Sequence, residues 1–113
     1  MKKNFIIKSP DDFNLIINSG KKIKGEILTI YYYPSSDKKN YFGFAIGKKN
    51  GNAVERNKIK RKIRMLVHNN QLLFKKSFKY IIMLRKDCLL FSYEKWEKDM
   101  ISILGKVENN EEN

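Results

Sequence analysis

Apolar and polar positions alternate along the chain in two rhythms, one helical and one extended. Phe13, Ile16 and Ile17 share one face of a short helix that starts at Ser9-Pro10-Asp11-Asp12 and runs to about Asn18. Ser9 can cap this helix, Pro10 suits its first position, and the two aspartates oppose the positive end of its dipole. Gly20 is its stop signal. Lys22 to Tyr33 has the Ile, Thr and Tyr content of a strand, with Ile27, Thr29 and Tyr31 on one side and Gly25 able to divide it at a bulge or bend. After the polar turn 34–40, Tyr41 to Gly47 reads as another strand. Phe42, Phe44 and Ile46 lie on one face, and Gly43, Ala45 and Gly47 on the other. A face of small residues admits a close neighbour. The pattern leaves open whether that neighbour is a packed helix or the space of an open groove.

The helical rhythm returns from about Ala53 to Asn69, where Ile59, Ile63, Leu66 and Val67 fall within one arc at 100° per residue. Gly51 permits a tight turn before it, Asn52 is a good cap, and Glu55 three residues on forms a variant of the capping box. Phe78 to Arg85 alternates as a strand. Ser92 then caps a last helix whose Tyr93, Trp96, Met100, Ile103 and Leu104 recur at three- and four-residue spacing, with Gly105 as its expected end. The order αβββαβα predicts an α+β two-layer sandwich with about four strands and a long central helix. Residues 1–107 form one domain in this reading, with 1–8 a basic, partly extended arm. Residues 108–113 form an acidic tail expected to be disordered.

Charge changes the picture from a plain small domain to a polyanion binder. The chain of 113 residues carries a net charge of +12, with a pI near 9.8. Residues 1–107 alone hold 24 basic against 9 acidic side chains. Self-repulsion on that scale is tolerated when the partner is anionic, which leaves nucleic acid or an acidic membrane. The excess is concentrated in Lys48 to Arg64, which has eight basic residues against the single acid Glu55. Arg56, Lys60, Arg61 and Arg64 lie within about two turns and can span successive phosphates. Lys48 and Lys49 precede the helix N-terminus, which itself attracts phosphate. Arg56 projects near the middle of the apolar arc, where charge alone does not explain it; a snorkelling stem is one account.

Residues able to carry chemistry are scarce. The one histidine, His68, sits near the end of the basic helix, and the one cysteine, Cys88, precedes two apolar residues and reads as a small hydrophobe. A single cysteine allows no internal disulfide, and no Cys/His spacing suits zinc. Asp11-Asp12 is explained by helix capping, and the glycines near Lys48 lack Walker spacing. The longest apolar run, Tyr80 to Leu84, is far short of the ~20 residues a membrane span needs. The N-terminus has no secretory apolar region. A soluble cytoplasmic protein without its own active site is expected, with no membrane or DNA partner. Phe13, Tyr31, Tyr33, Phe42 and Phe44 add aromatics on the first helix and strands. Most suit a core, and aromatics on a sheet beside a basic helix also suit single-stranded nucleic acid.

The order Gly51-Asn52-Ala53-Val54-x-Arg56-Asn57-x-x-Lys60-Arg61-x-x-Arg64, preceded by Lys48-Lys49, closely resembles the signature of the bacterial ribonuclease P protein subunit family. The likeness extends over residues 9–105. It includes Asp12-Phe13 and Gly20, Phe42-Gly43-Phe44-Ala45-Ile46, and Tyr80-Ile81-Ile82-Met83-Leu84-Arg85-Lys86 before a final helix. The resemblance implies a ribonucleoprotein endonuclease whose RNA subunit removes the 5′ leader of precursor tRNA with Mg²⁺. The protein would bind ribonuclease P RNA and the leader and strengthen metal-dependent binding, with no catalytic side chain; the resemblance leaves its own metal ligands open. It also implies a four-stranded sheet with a left-handed crossover around the signature helix. Carried over position by position, Lys48, Lys49, Asn52, Arg56, Asn57, Lys58, Lys60, Arg61 and Arg64 would bind RNA. Phe13, Ile17 and Tyr31 would line the leader cleft. Lys58 stands where arginine is usual and loses the bidentate fork. Ile17 stands where the cleft is often aromatic. The rival readings are a ribosomal or other structural RNA-binding protein and, more remotely, a DNA-binding regulator.

Overall fold

The computed structural model describes residues 5–111. The first four residues of the expected basic arm and the last two of the expected tail lie outside them. Three helices and four strands follow in the order α1 (Pro10–Ser19), β1 (Lys21–Lys24), β2 (Leu28–Pro34), β3 (Tyr41–Ala45), α2 (Ala53–Asn69), β4 (Phe78–Leu84) and α3 (Tyr93–Glu111). The strands form one mixed sheet in the order β1-β2-β4-β3. Pairing is antiparallel for β1–β2 and β2–β4, and parallel for β3–β4. The parallel pair requires a crossover between them, and α2 is that crossover.

The expected strand over 22–33 is two strands joined by a turn. Gly25 N–H donates to the Leu28 carbonyl at 2.7 Å. The Asp99 carboxylate, reaching in from α3, accepts from the backbone N–H groups of Glu26, Ile27 and Leu28 at 2.8–2.9 Å. A Cβ at Gly25 would lie 2.6 Å from that carboxylate. The turn changes the phase of the alternation. Leu28, Ile30 and Tyr32 are fully buried, while Thr29, Tyr31 and Tyr33 face the other side. Ile27, which the sequence places with Thr29 and Tyr31, belongs instead to the main core.

That main core lies between the sheet and the pair α2–α3. It unites Ile30, Tyr32, Phe42, Tyr80 and Ile82 of the strands with Ile59, Ile63 and Leu66 of α2 and Trp96, Met100 and Ile103 of α3. Each such side chain contributes roughly 1.5–3 kcal/mol of burial. Trp96 also places its indole N–H on the Cys88 carbonyl at 2.9 Å. A smaller cluster of Ile7, Ile16 and Ile81 sits under α1 on the opposite face. The two-layer expectation therefore covers the sheet with α2 and α3, and α1 lies over the other side. Residues 6 and 7 run along β3, where Ile7 N–H donates to the Phe42 carbonyl at 2.8 Å. At the far end α3 does not stop at Gly105. Val107 is buried in the core, and the helix continues to Glu111, drawing residues 108–111 out of the expected tail.

Candidate nucleic-acid interface

Local sequence sets the start of α2. Gly51 has φ +104°, a conformation a side chain resists, and a Cβ there would lie 2.6 Å from the Glu55 carboxylate. Asn52 then caps the helix. Its side-chain oxygen accepts from Glu55 N–H at 3.0 Å, and Glu55 accepts in return from Asn52 N–H at 3.3 Å. This capping box leaves only the amide nitrogen of Asn52 free of the cap, which narrows its expected part in binding RNA. Lys48–Asn50 form a 3-10 turn just before it, with the Lys49 side chain exposed. The side chain of Lys48 lies outside what is described.

Burial of Ile59, Ile63, Leu66 and Val67 fixes the rotation of α2 and so decides which cations face water. Asn57, Lys58, Lys60, Arg61 and Arg64 are all exposed. Among the described residues none of these four cations forms an ion pair. The Arg64 guanidinium stands 6.0 Å from the Phe44 ring, at the edge of the sheet. Lys62 is the cation that turns away. Its Nζ donates to the Phe91 carbonyl at 2.8 Å and sits 4.1 Å over the Trp96 ring. Burial pushes its ammonium below the usual lysine range.

Arg56 resolves the angular anomaly of the sequence. It is half-buried beside a notch of about 210 Å³ lined by Ile46, Ala53, Arg56, Asn57 and Lys60. Its Nε is enclosed and has no hydrogen-bond partner. An enclosed donor without an acceptor is costly, and an incoming phosphate oxygen would satisfy it.

The residues expected to line a leader cleft gather on the other side of the sheet. Phe13, Ile17 and Tyr31 are half-buried around Ile81, with Tyr33, Ala45 and Met83 beside them. Gly43 explains the small face of β3: a Cβ there would lie 2.8 Å from the Phe13 ring. At that position the close neighbour is the packed helix α1. Phe42 and Phe44 point the opposite way and pack with the main core. The aromatics expected to stand together beside the basic helix are thus divided between two faces. Sequence reading overlooked Lys22, whose Nζ is 5.9 Å from the Tyr31 ring across the β1–β2 pair. The signal was present once the strand is split, because Lys22 then pairs with Tyr31.

The remaining reactive groups are quiet. His68 is exposed and lies 3.3 Å from the Gln71 amide, and burial pushes the Cys88 thiol up. No helix among the described residues is long and apolar enough to cross a membrane.

Comparison with known proteins gives consistent matches. A family model described as Ribonuclease P matches residues 1–108. The ribonuclease P protein component of Streptococcus agalactiae is 35% identical over 104 residues, covering 92% of this chain and 94% of that protein. That of Mycoplasma mycoides subsp. mycoides is 37% identical over 108 residues, covering 95% and 99%. Among solved structures, the Staphylococcus aureus RNase P protein superimposes with a TM-score of 0.81 at 24% identity, covering 91% of this chain and 94% of that one. The Thermotoga maritima RNase P protein gives 0.81 at 22% identity, with coverage of 88% and 94%. These two support the fold.

Proposed function

The chain belongs to the ribonuclease P protein family, and from that membership we propose that it binds the catalytic RNA of the ribonucleoprotein and the 5′ leader of precursor tRNA. The observation that carries the proposal is the exposed, unpaired row Lys58, Lys60, Arg61 and Arg64 on α2, ending at the notch of Arg56. These groups neutralise phosphates of the RNA subunit and release its counterions, which supplies affinity without reading sequence. The Phe13, Ile17 and Tyr31 surface takes unpaired leader bases, with Lys22 beside Tyr31 near their backbone. Holding leader and RNA subunit on one rigid body aligns the scissile bond, a gain of orientation rather than of chemistry.

Magnesium enters this scheme with the RNA. Among the described residues no three His, Cys, Asp or Glu side chains come together as a metal-ligand set. Its donors would be mainly oxygens of the RNA subunit and the substrate, and the ion would supply charge stabilisation for phosphodiester hydrolysis. The protein side chains position and neutralise.

The test mixes the purified protein with ribonuclease P RNA and precursor tRNA at low Mg²⁺ and follows release of the 5′ leader. Faster cleavage at the mature 5′ end is expected. No stimulation, with RNA binding retained, would favour a structural RNA-binding protein instead.

A further inference from the structure

A cavity lies away from both surfaces described above, at the C-terminal end of α2. It encloses about 750 Å³ between the β2–β3 turn and the segment joining α2 to β4. Its apolar walls come from Phe5, Phe42, Phe74 and Leu72. Phe42 and Phe74 meet edge to face at 5.0 Å. Leu72 is 97% exposed, an apolar side chain standing at the mouth without cover. Lys38, Lys39 and Lys76 line the rim, and no acid is among the lining residues. The nearby Asp37 is held within its own turn by the hydroxyls of Ser35 and Tyr41 and the Lys39 N–H. Asn40, His68 and Gln71 supply further polar groups.

We propose that this cavity is a second subsite for single-stranded RNA, taking an unpaired base against the half-buried Phe5 ring and the uncovered Leu72 and the flanking phosphates on its three lysines. Both halves of the chemistry are required. An apolar peptide would leave three cations at the rim without partners, and a bare polyphosphate would leave Leu72 and the Phe5 ring uncovered. A nucleotide satisfies both, with base edges open to Gln71 and His68. The site is distinct from the row on α2. Arg56 and His68 are twelve residues apart on one helix, about 18 Å along its axis. The inference extends the RNA-binding reading and rests on it only for the class of ligand.

The test follows backbone amide resonances of the full chain during titration with a tetranucleotide of adenosines and with its abasic ribose-phosphate counterpart. The expected result is a shift of Gln71, Leu72, Lys76 and Lys39 by the first oligomer and a much smaller one by the second. Leu72→Asp, at a fully exposed position that leaves the core intact, and Lys76→Glu should each weaken binding at these resonances about tenfold. Arg61→Ala should leave them unchanged. Shifts confined to α2 residues 56–64 would overturn the subsite while leaving the main reading in place. Equal shifts by the abasic oligomer would overturn the base-binding wall, and no shift anywhere would count against both.

Discussion

Neighbouring lysines and arginines in one run are held differently by the fold. Arg61 is exposed with no partner among the described residues, whereas Lys62 is bonded to the Phe91 carbonyl and lies over Trp96. Arg61→Ala is expected to leave stability unchanged within about 0.5 kcal/mol. It should reduce the slope of log affinity against log salt by about one, as loss of one phosphate contact requires. Lys62→Ala should do the reverse, with the slope unchanged and about 1–2 kcal/mol of stability lost with the hydrogen bond and the ring contact. Urea unfolding and salt titration of RNA binding check the pair. A lowered slope for Lys62→Ala would show that the lysine swings out to phosphate. A second residue-scale expectation concerns Asp37, whose carboxyl is held down to about 2 from 3.8 by hydrogen bonds from Tyr41 and Ser35. A depressed carboxyl pKa stabilises the fold above the unfolded value and loses that contribution as pH falls through the folded one. The β2–β3 turn should therefore hold above pH 3.8 and loosen as pH falls toward 2. A carboxyl-carbon titration of Asp37 with its midpoint near the unperturbed value would show that the hydroxyls do not bind it in solution.

Helices were legible in this sequence because their signals are local, and strands less so because theirs are not. Asn52, Glu55 and the Ile59–Ile63–Leu66 spacing fix α2 within a stretch of seventeen residues, and the helix starts and ends where that pattern places it. The break between β1 and β2 depends on Asp99, more than seventy residues away, so Gly25 could announce a bend but not which face each strand would bury. The same limit divided the aromatics. Phe13 and Phe42 look alike in sequence, and only the sheet order puts them on opposite faces. The end of α3 shows a local signal overruled: Gly105 suggested a stop, but burial of Val107 two residues on carries the helix past it. The basic residues of the site were legible as a set, because their order along α2 is itself the pattern. Asp99 carries the testable consequence at this scale. Asp99→Asn keeps the size of the side chain but removes the charged acceptor from three backbone N–H groups. About 1–2 kcal/mol of stability should be lost, since hydrogen bonds to charged groups exceed neutral ones. Amide exchange should quicken at Glu26, Ile27 and Leu28. Unchanged exchange there would mean that the turn closes without the α3 carboxylate.

The sheet acts as a partition across the whole molecule. The cations of α2 lie on the side of the main core, while Phe13, Ile17 and Tyr31 lie with α1 on the other side. A single domain with two separated surfaces can hold two RNA segments at once, and the separation makes a quantitative demand. Tyr31→Leu keeps an apolar side chain against the cluster of Ile81 but removes the ring, so stability should change little. Affinity for precursor tRNA bearing a single-stranded leader should fall by about 1–2 kcal/mol, the worth of one stacked base. Affinity for ribonuclease P RNA alone should not change. Arg61→Ala should weaken binding to that RNA and spare the leader-dependent difference, measured as binding of precursor against mature tRNA. In the double variant the two losses should add within about 0.5 kcal/mol, because the sites share no contact. A coupling well above that would mean that one strand runs around the edge of the sheet and engages both faces. The exposed edge at β3, where Phe44 meets Arg64, is the place such a strand would cross.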